Sequence, residues 1–153
     1  MAKTHDHTPQ SPASQSLPAP VHESRLRARY AETDQMGIVY YSNYLVWMEI
    51  GRTEYCRSLG IPYREMERQD RILLAVAEAH CRYLAPAFYD DEIIVRTWIE
   101  QASSRLLTFG YEIQCATDGR KLASGYTKHI YCDTQLRATR LPQKYWKVFG
   151  VIR

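Results

Sequence analysis

The sequence lacks the features that would assign it to a membrane, secreted or metal-binding class. No apolar run reaches the ~18 residues that a membrane-spanning helix needs. The polar N-terminus has no apolar signal-peptide centre, and the four cysteines form no C-x-x-C pair. We therefore expect a soluble cytoplasmic protein with reduced thiols and no membrane span, and we exclude zinc-ribbon and thioredoxin-like sites.

Basic charge and histidine are also sparse. The net charge is only +3, and no stripe of lysine and arginine alternates with aromatic residues, so we expect no nucleic-acid binding. His80 and His129 stand alone on separate predicted strands and are interpreted as structural, so we predict no metal site. The triplet His5-Asp6-His7 is interpreted as part of a polar tail rather than as a metal ligand set.

The first 20 residues are predicted to form a disordered tail. They carry Pro9, Pro12, Pro18 and Pro20 among serine, threonine and glutamine, and almost no large apolar residue. Such a segment buries too little apolar surface to offset the entropy lost on ordering. The folded domain is therefore placed at residues 21–153, and the chain as a whole is 45% hydrophobic, enough for a sizeable core.

The folded region is predicted to contain one long helix. After a first strand over 21–30, apolar residues recur at helical spacing over about 42–59. The stripe comprises Tyr44, Trp47, Met48, Gly51, Tyr55 and Leu59. Ser42 or Asn43 is the expected N-cap, and Gly60 with Pro62 predicts the end of the helix.

Four strands and a short C-terminal helix are predicted to follow. The strands are expected over 72–84, 92–100, 105–116 and 121–133, and the helix from Pro142. Hairpin-like links are expected between them, with Asp118-Gly119 as the strongest turn signal. Consecutive strands joined by short turns predict an antiparallel sheet, with the long helix packed on one face, which is the α+β class.

One segment resembles a known family. Residues 34–44 read DQMGIVYYSNY and match the pattern D-x-x-G-(I/V)-V-aromatic-(Y/H)-x-N-Y of the 4-hydroxybenzoyl-CoA thioesterase family. Residues 83–87, the Asp90-Asp91 turn and Leu141-Pro142 extend the resemblance to the C-terminus. The chain is also similar to bacterial Tol–Pal-associated thioesterases, although these carry histidine where this chain has Tyr41. The resemblance implies a hotdog fold, in which an antiparallel sheet wraps around one long central helix.

The resemblance also implies a reaction and a catalytic pair. The family hydrolyses acyl-CoA thioesters, or acyl groups on acyl carrier protein, without a metal or redox cofactor. Such hydrolysis needs a nucleophile or base and a donor to the carbonyl oxygen. The family's catalytic carboxylate falls on Asp34, which either attacks the carbonyl or activates water. The helix start provides unpaired N–H groups, and the N–H of Tyr41 is assigned as the main donor.

Further residues are candidates for substrate contact. These are Tyr30, Gly37, Ile38, Val39, Ser42, Asn43, Glu49 and Arg105. Tyr30 is assigned a role in orienting Asp34, and Ser42 and Asn43 either cap the helix or orient water. The resemblance places Glu49 near the aromatic ring of the substrate, whereas solvation or pairing with Arg52 is the preferred alternative. Arg105 is the cation nearest to the turn where the family carries an Arg/Lys cluster.

The expected partners are the acyl-CoA substrate, acyl carrier protein as a second possibility, and further copies of the chain. The resemblance implies a homodimer or homotetramer with the active site at a subunit interface, and an exposed sheet edge favours such pairing. A basic C-terminal end (Arg137, Arg140, Lys144 and Lys147) is either a solvated surface or a contact for CoA phosphates. Two alternatives stay open: a non-catalytic acyl-binding module, and a hydroxyacyl dehydratase, which the absence of histidine between His22 and His80 disfavours.

Overall fold

A computed structural model describes residues 20–152. The tail predicted over 1–20 therefore lies almost wholly outside the described residues. Five strands form one antiparallel sheet in the order β1-β3-β4-β5-β2, which confirms the predicted α+β class. The strands are β1 (His22–Arg27), β2 (Leu73–Tyr83), β3 (Glu92–Ala102), β4 (Leu106–Cys115) and β5 (Lys121–Cys132).

The pairing of β2 differs from the prediction. β3, β4 and β5 are joined as hairpins, as expected, but β2 pairs with β5 rather than with β3. The hairpin-like link predicted between β2 and β3 is therefore wrong, since residues 84–91 carry the chain from one edge of the sheet towards the other. Asp90-Asp91 does form a turn, but a turn in the sequence does not specify that the strands before and after it pair with each other. β2 consequently lies at an edge of the sheet.

The long helix α1 (Asn43–Ser58) crosses the sheet and packs mainly on β1 and β3. Five residues of the predicted stripe are buried, namely Tyr44, Trp47, Met48, Gly51 and Tyr55, whereas Leu59 follows the last residue of α1 and is half-buried. These residues meet inward-facing side chains of β3 and β4 in a single core. The helix ends before Gly60, whose φ of +77° is a conformation that glycine adopts readily.

The remaining helical segments are short. A 3₁₀ turn (Tyr30–Glu32) precedes the loop that contains Asp34, and α2 (Tyr63–Glu65) runs into a π-helical turn (Met66–Asp70). The predicted C-terminal helix is present as a 3₁₀ turn (Gln143–Tyr145) followed by α3 (Trp146–Phe149). None of the helices within residues 20–152 combines the length and the apolar composition of a membrane-spanning segment.

Candidate active site

The loop that presents Asp34 is a small closed hairpin. Thr33 and Val39 form an antiparallel bridge, and the Asp34 N–H donates to the Ile38 carbonyl at 2.9 Å. The Gly37 N–H donates to the Asp34 carbonyl at 2.9 Å, with Gly37 at a φ of +77°. Asp34 Oδ1 accepts the Met36 N–H at 2.8 Å. One carboxylate oxygen is therefore used by the loop, whereas Oδ2 accepts no hydrogen bond from residues 20–152.

This loop borders a cleft of about 440 Å³. The cleft is lined by Asp34, Met36, Ile38, Val39, Tyr40, Tyr41, Tyr44, Tyr83, Ala85 and Pro86. Asp34 is the one charged residue in this lining, and the rest is aliphatic or aromatic. Such a cleft suits an apolar group that lies against a single carboxylate.

The start of α1 leaves backbone donors available beside this cleft. Among the hydrogen bonds within residues 20–152, none has the N–H of Tyr41 or Ser42 as its donor. Ser42 is the N-cap residue, but its φ of −68° and ψ of −21° are already helical, and its hydroxyl makes no cap hydrogen bond. Asn43 Nδ2 instead donates to the Glu32 carbonyl at 2.9 Å. Ser42 is therefore the N-cap residue, as predicted, but no side-chain hydrogen bond among the described residues caps the start of the helix.

Aromatic side chains fix the backbone at this helix start. The Tyr83 hydroxyl donates to the Tyr41 carbonyl at 2.8 Å, and the two rings meet edge to face at 6.3 Å. In a trans peptide the carbonyl and the following N–H point in opposite directions, so this bond also orients the Ser42 N–H. Burial raises the pKa of Tyr83 and of Tyr44, so both hydroxyls stay protonated at neutral pH.

Glu32 was not identified from the sequence, yet it is the buried carboxylate next to this site. It is only 4% exposed, and Oε2 accepts the Trp47 Nε1–H at 2.9 Å. Oε1 accepts the Arg29 backbone N–H at 2.8 Å. The available signal was a second acid two positions before Asp34, but its donors are recognised only once the fold brings Trp47 beside it.

The other predicted site residues form two groups, one close to Asp34 in the chain and one outside the cleft. Gly37, Ile38, Val39, Ser42 and Asn43 lie in the Asp34 loop or at the helix start.

Tyr30, Glu49 and Arg105 lie outside the cleft of a single chain. Tyr30 is exposed and packs edge-on against Tyr89 at 5.6 Å. Glu49 lines a separate pocket of about 170 Å³ with Arg52, Thr53, Tyr63, Glu67 and Leu74. No salt bridge joins Glu49 to Arg52 in the described part of the chain, and Arg105 is exposed in the β3–β4 turn.

His80, His129 and the four cysteines are not among the residues that line the cleft. Burial, with a smaller contribution from Arg52, lowers the pKa of His129 to about 4, and its Nε2 lies 2.8 Å from Thr127 Oγ1. His80 stacks on Tyr126 at a ring distance of 5.2 Å. All four cysteines are free thiols.

Comparison with known proteins identifies the family. Residues 28–148 match the thioesterase-like superfamily. A protein of Bacillus subtilis (strain 168), named as a putative acyl-CoA thioesterase, is 44% identical over 93 residues. This alignment covers 61% of the present chain and 67% of the relative.

Solved structures agree with this match. The DHNA-CoA thioesterase of Staphylococcus aureus superposes with a TM-score of 0.81 at 30% identity, covering 85% of this chain and 89% of that chain. The 4-hydroxybenzoyl-CoA thioesterase of Pseudomonas sp. strain CBS-3 gives a TM-score of 0.77 and covers 85% and 99% of the two chains. Its 20% identity supports the fold alone. The present chain therefore belongs to the thioesterase-like superfamily and has the hotdog fold that the sequence predicts.

Proposed function

We propose that the protein hydrolyses an acyl-CoA thioester to the free acid and CoA. The observation that carries this proposal is the shared cleft, which is lined by both Asp34 and Tyr41, and the Tyr41 N–H donates to no acceptor among residues 20–152. The names of the Bacillus subtilis and Staphylococcus aureus relatives support a CoA thioester as the substrate class. The cleft lining contains no histidine, so nothing in it favours the dehydratase alternative.

The reaction follows from these two groups. The thioester carbonyl oxygen would accept the Tyr41 N–H, with the helix dipole stabilising the charge that develops on it. In one route the Asp34 carboxylate attacks the carbonyl carbon, the C–S bond breaks, and CoA leaves as the thiolate. Water then cleaves the resulting anhydride, which releases the acid and restores Asp34. In the other route Asp34 accepts a proton from the water that attacks the carbonyl carbon, the C–S bond breaks, and Asp34 returns the proton to the departing CoA thiolate. Neither route requires a metal or redox cofactor.

A homodimer completes the site in this proposal. The outer edge of β2 is unpaired, and an unpaired edge is a template for another strand. Val76 on β2 and Val46 and Ile50 on α1 carry exposed apolar side chains that such a contact could bury. If two copies pair antiparallel about the middle of β2, the Tyr83 end of one strand meets the Leu73–Leu74 end of the other.

This pairing would join two pockets that are separate in one chain. Tyr83 lines the Asp34 cleft, and Leu74 lines the pocket that contains Glu49 and Arg52. Glu49 of the partner subunit would then approach the acyl group bound at Asp34. A homotetramer would pair two such dimers, as the family resemblance implies.

The direct test is hydrolysis of short, long and aromatic acyl-CoAs, followed by free-thiol release, for the wild type, Asp34→Asn and Asp118→Asn. Asp118 is a matched control, because its Oδ1 accepts the Arg120 N–H at 3.0 Å in a turn of the same kind. Turnover should fall at least ~100-fold in Asp34→Asn and stay unchanged in Asp118→Asn. Equal rates in all three proteins would remove Asp34 from the mechanism. Turnover of acyl carrier protein thioesters alone would identify that carrier as the substrate.

A further inference from the structure

Glu32 takes no direct part in the proposed reaction, yet both of its carboxylate oxygens accept hydrogen bonds. It is the one buried carboxylate among residues 20–152. Oε1 accepts from the Arg29 backbone N–H at 2.8 Å and from Arg29 Nε at 3.3 Å, and Oε2 accepts from Trp47 Nε1 at 2.9 Å. Burial of a carboxylate is unfavourable unless its oxygens are paired in this way. Removing the carboxylate would leave the buried Trp47 N–H without an acceptor.

The backbone of Glu32 is tied to the same region. Its carbonyl accepts the Tyr40 N–H at 2.8 Å and Asn43 Nδ2 at 2.9 Å. Glu32 therefore contacts the end of the Asp34 loop, the first turn of α1 and, through Trp47, the second turn. Asp34 follows Glu32 by two residues, and Tyr41 follows Tyr40 directly. One residue thus fixes both groups of the proposed catalytic pair relative to each other.

We propose that Glu32 is a positioning residue for thioester hydrolysis. It holds the loop so that the Asp34 carboxylate reaches the carbonyl carbon while the carbonyl oxygen meets the Tyr41 N–H. This inference rests on the proposed function. A displacement of about 1 Å between reacting groups can lower a rate by about 100-fold. Loss of the Glu32 contacts should therefore reduce kcat while leaving substrate binding nearly intact.

Two substitutions test this role from opposite sides of the same hydrogen bond. Glu32→Gln keeps the shape but places an NH₂ group opposite either Trp47 Nε1–H or the Arg29 N–H, where two donors then face each other. Trp47→Phe removes the donor on α1 and leaves the carboxylate in place. Glu112→Gln is the matched control. Glu112 is a half-buried carboxylate on β4 that pairs with Arg96 of β3 and Lys121 of β5 and does not line the cleft.

The measurements are kcat, KM, melting temperature and peptide-level amide hydrogen exchange. For Glu32→Gln and Trp47→Phe we expect kcat to fall about 10- to 100-fold and KM to change by less than about 3-fold. Amide exchange should accelerate over residues 33–43 and stay near wild type in β3 and β4. The control Glu112→Gln should keep kcat within about 2-fold of the wild type.

The outcomes separate this inference from the proposed function. An unchanged kcat in Glu32→Gln, or a loss of kcat accompanied by faster exchange throughout the sheet, would overturn the positioning role. If the wild type turned over no acyl-CoA, the proposed function would fail, and the exchange data would still decide the structural claim. In that case wild-type exchange over 33–43 in Glu32→Gln would refute it, and localised acceleration would support it.

Discussion

At Gly51 the helix α1 packs tightly against β3, and this contact predicts the effect of adding one methyl group. A Cβ atom at Gly51 would lie 2.5 Å from Thr97 Oγ1 and 2.7 Å from Val95 Cγ1. Both neighbours are completely buried on β3, so neither can swing into solvent. Since ordinary contacts need about 3.5 Å, Gly51→Ala would push the helix about 1 Å away from β3.

Two opposing contributions decide the effect of Gly51→Ala on stability. Alanine is favoured over glycine inside a helix by about 1 kcal/mol. Overpacking of a well-packed core costs about 1–3 kcal/mol, and two contacts below 3 Å place this site at the upper end. We therefore expect the free energy of unfolding to fall by about 2 kcal/mol. Because the same helix presents the Tyr41 N–H, kcat should fall as well.

Urea denaturation of Gly51→Ala and Glu54→Ala measures this balance. The Glu54 side chain is 42% exposed on the same helix and pairs with Arg57, so its replacement should change stability by less than about 0.5 kcal/mol. A Gly51→Ala protein that is as stable as the wild type, or more stable, would refute the close approach of α1 to β3.

Substitutions at three further positions probe the loop, the helix start and the core. Gly37→Ala should destabilise the fold by about 1–2 kcal/mol, because the φ of +77° is unfavourable for a side chain although no atom lies within 4 Å. Gly37→Asn should lose less stability than Gly37→Ala. A Gly37→Ala protein with a wild-type melting temperature would contradict the predicted strain. Tyr83→Phe removes the 2.8 Å hydrogen bond to the Tyr41 carbonyl and should lower kcat by up to about 10-fold, whereas an unchanged kcat would argue against this contact. Burial lowers the pKa of His129 to about 4, so the unfolded state binds a proton below pH ~6.5 while the folded state does not. The free energy of unfolding should therefore be highest above pH ~6.5 and fall by about 3 kcal/mol as the pH falls towards 4. A His129→Gln protein should show a smaller fall in the free energy of unfolding over that interval, and parallel pH profiles would contradict the assignment.

The parts of the fold that follow from local patterns could be predicted from the sequence. The helical stripe from Tyr44 to Tyr55 predicts which side of α1 faces the sheet. Asp118-Gly119 predicts a tight turn between β4 and β5. The partner of β2 could not be predicted, because strand pairing across the sheet depends on contacts far apart in sequence. The contacts of Glu32 depend in the same way on Trp47, which only the folded chain brings close.

The geometry of Asp34 explains why its amide variant can separate chemistry from folding. Asp34 Oδ1 is occupied by the Met36 N–H, and an asparagine at this position retains an oxygen that can accept the same hydrogen bond. The backbone bonds that close the loop, between Asp34, Gly37 and Ile38, do not involve the side chain. The substitution therefore preserves the turn while it removes the negative charge and replaces the free Oδ2 with an amide nitrogen. Since an amide is neither a nucleophile nor a base here, a loss of turnover in a stable Asp34→Asn protein must come from the reaction itself.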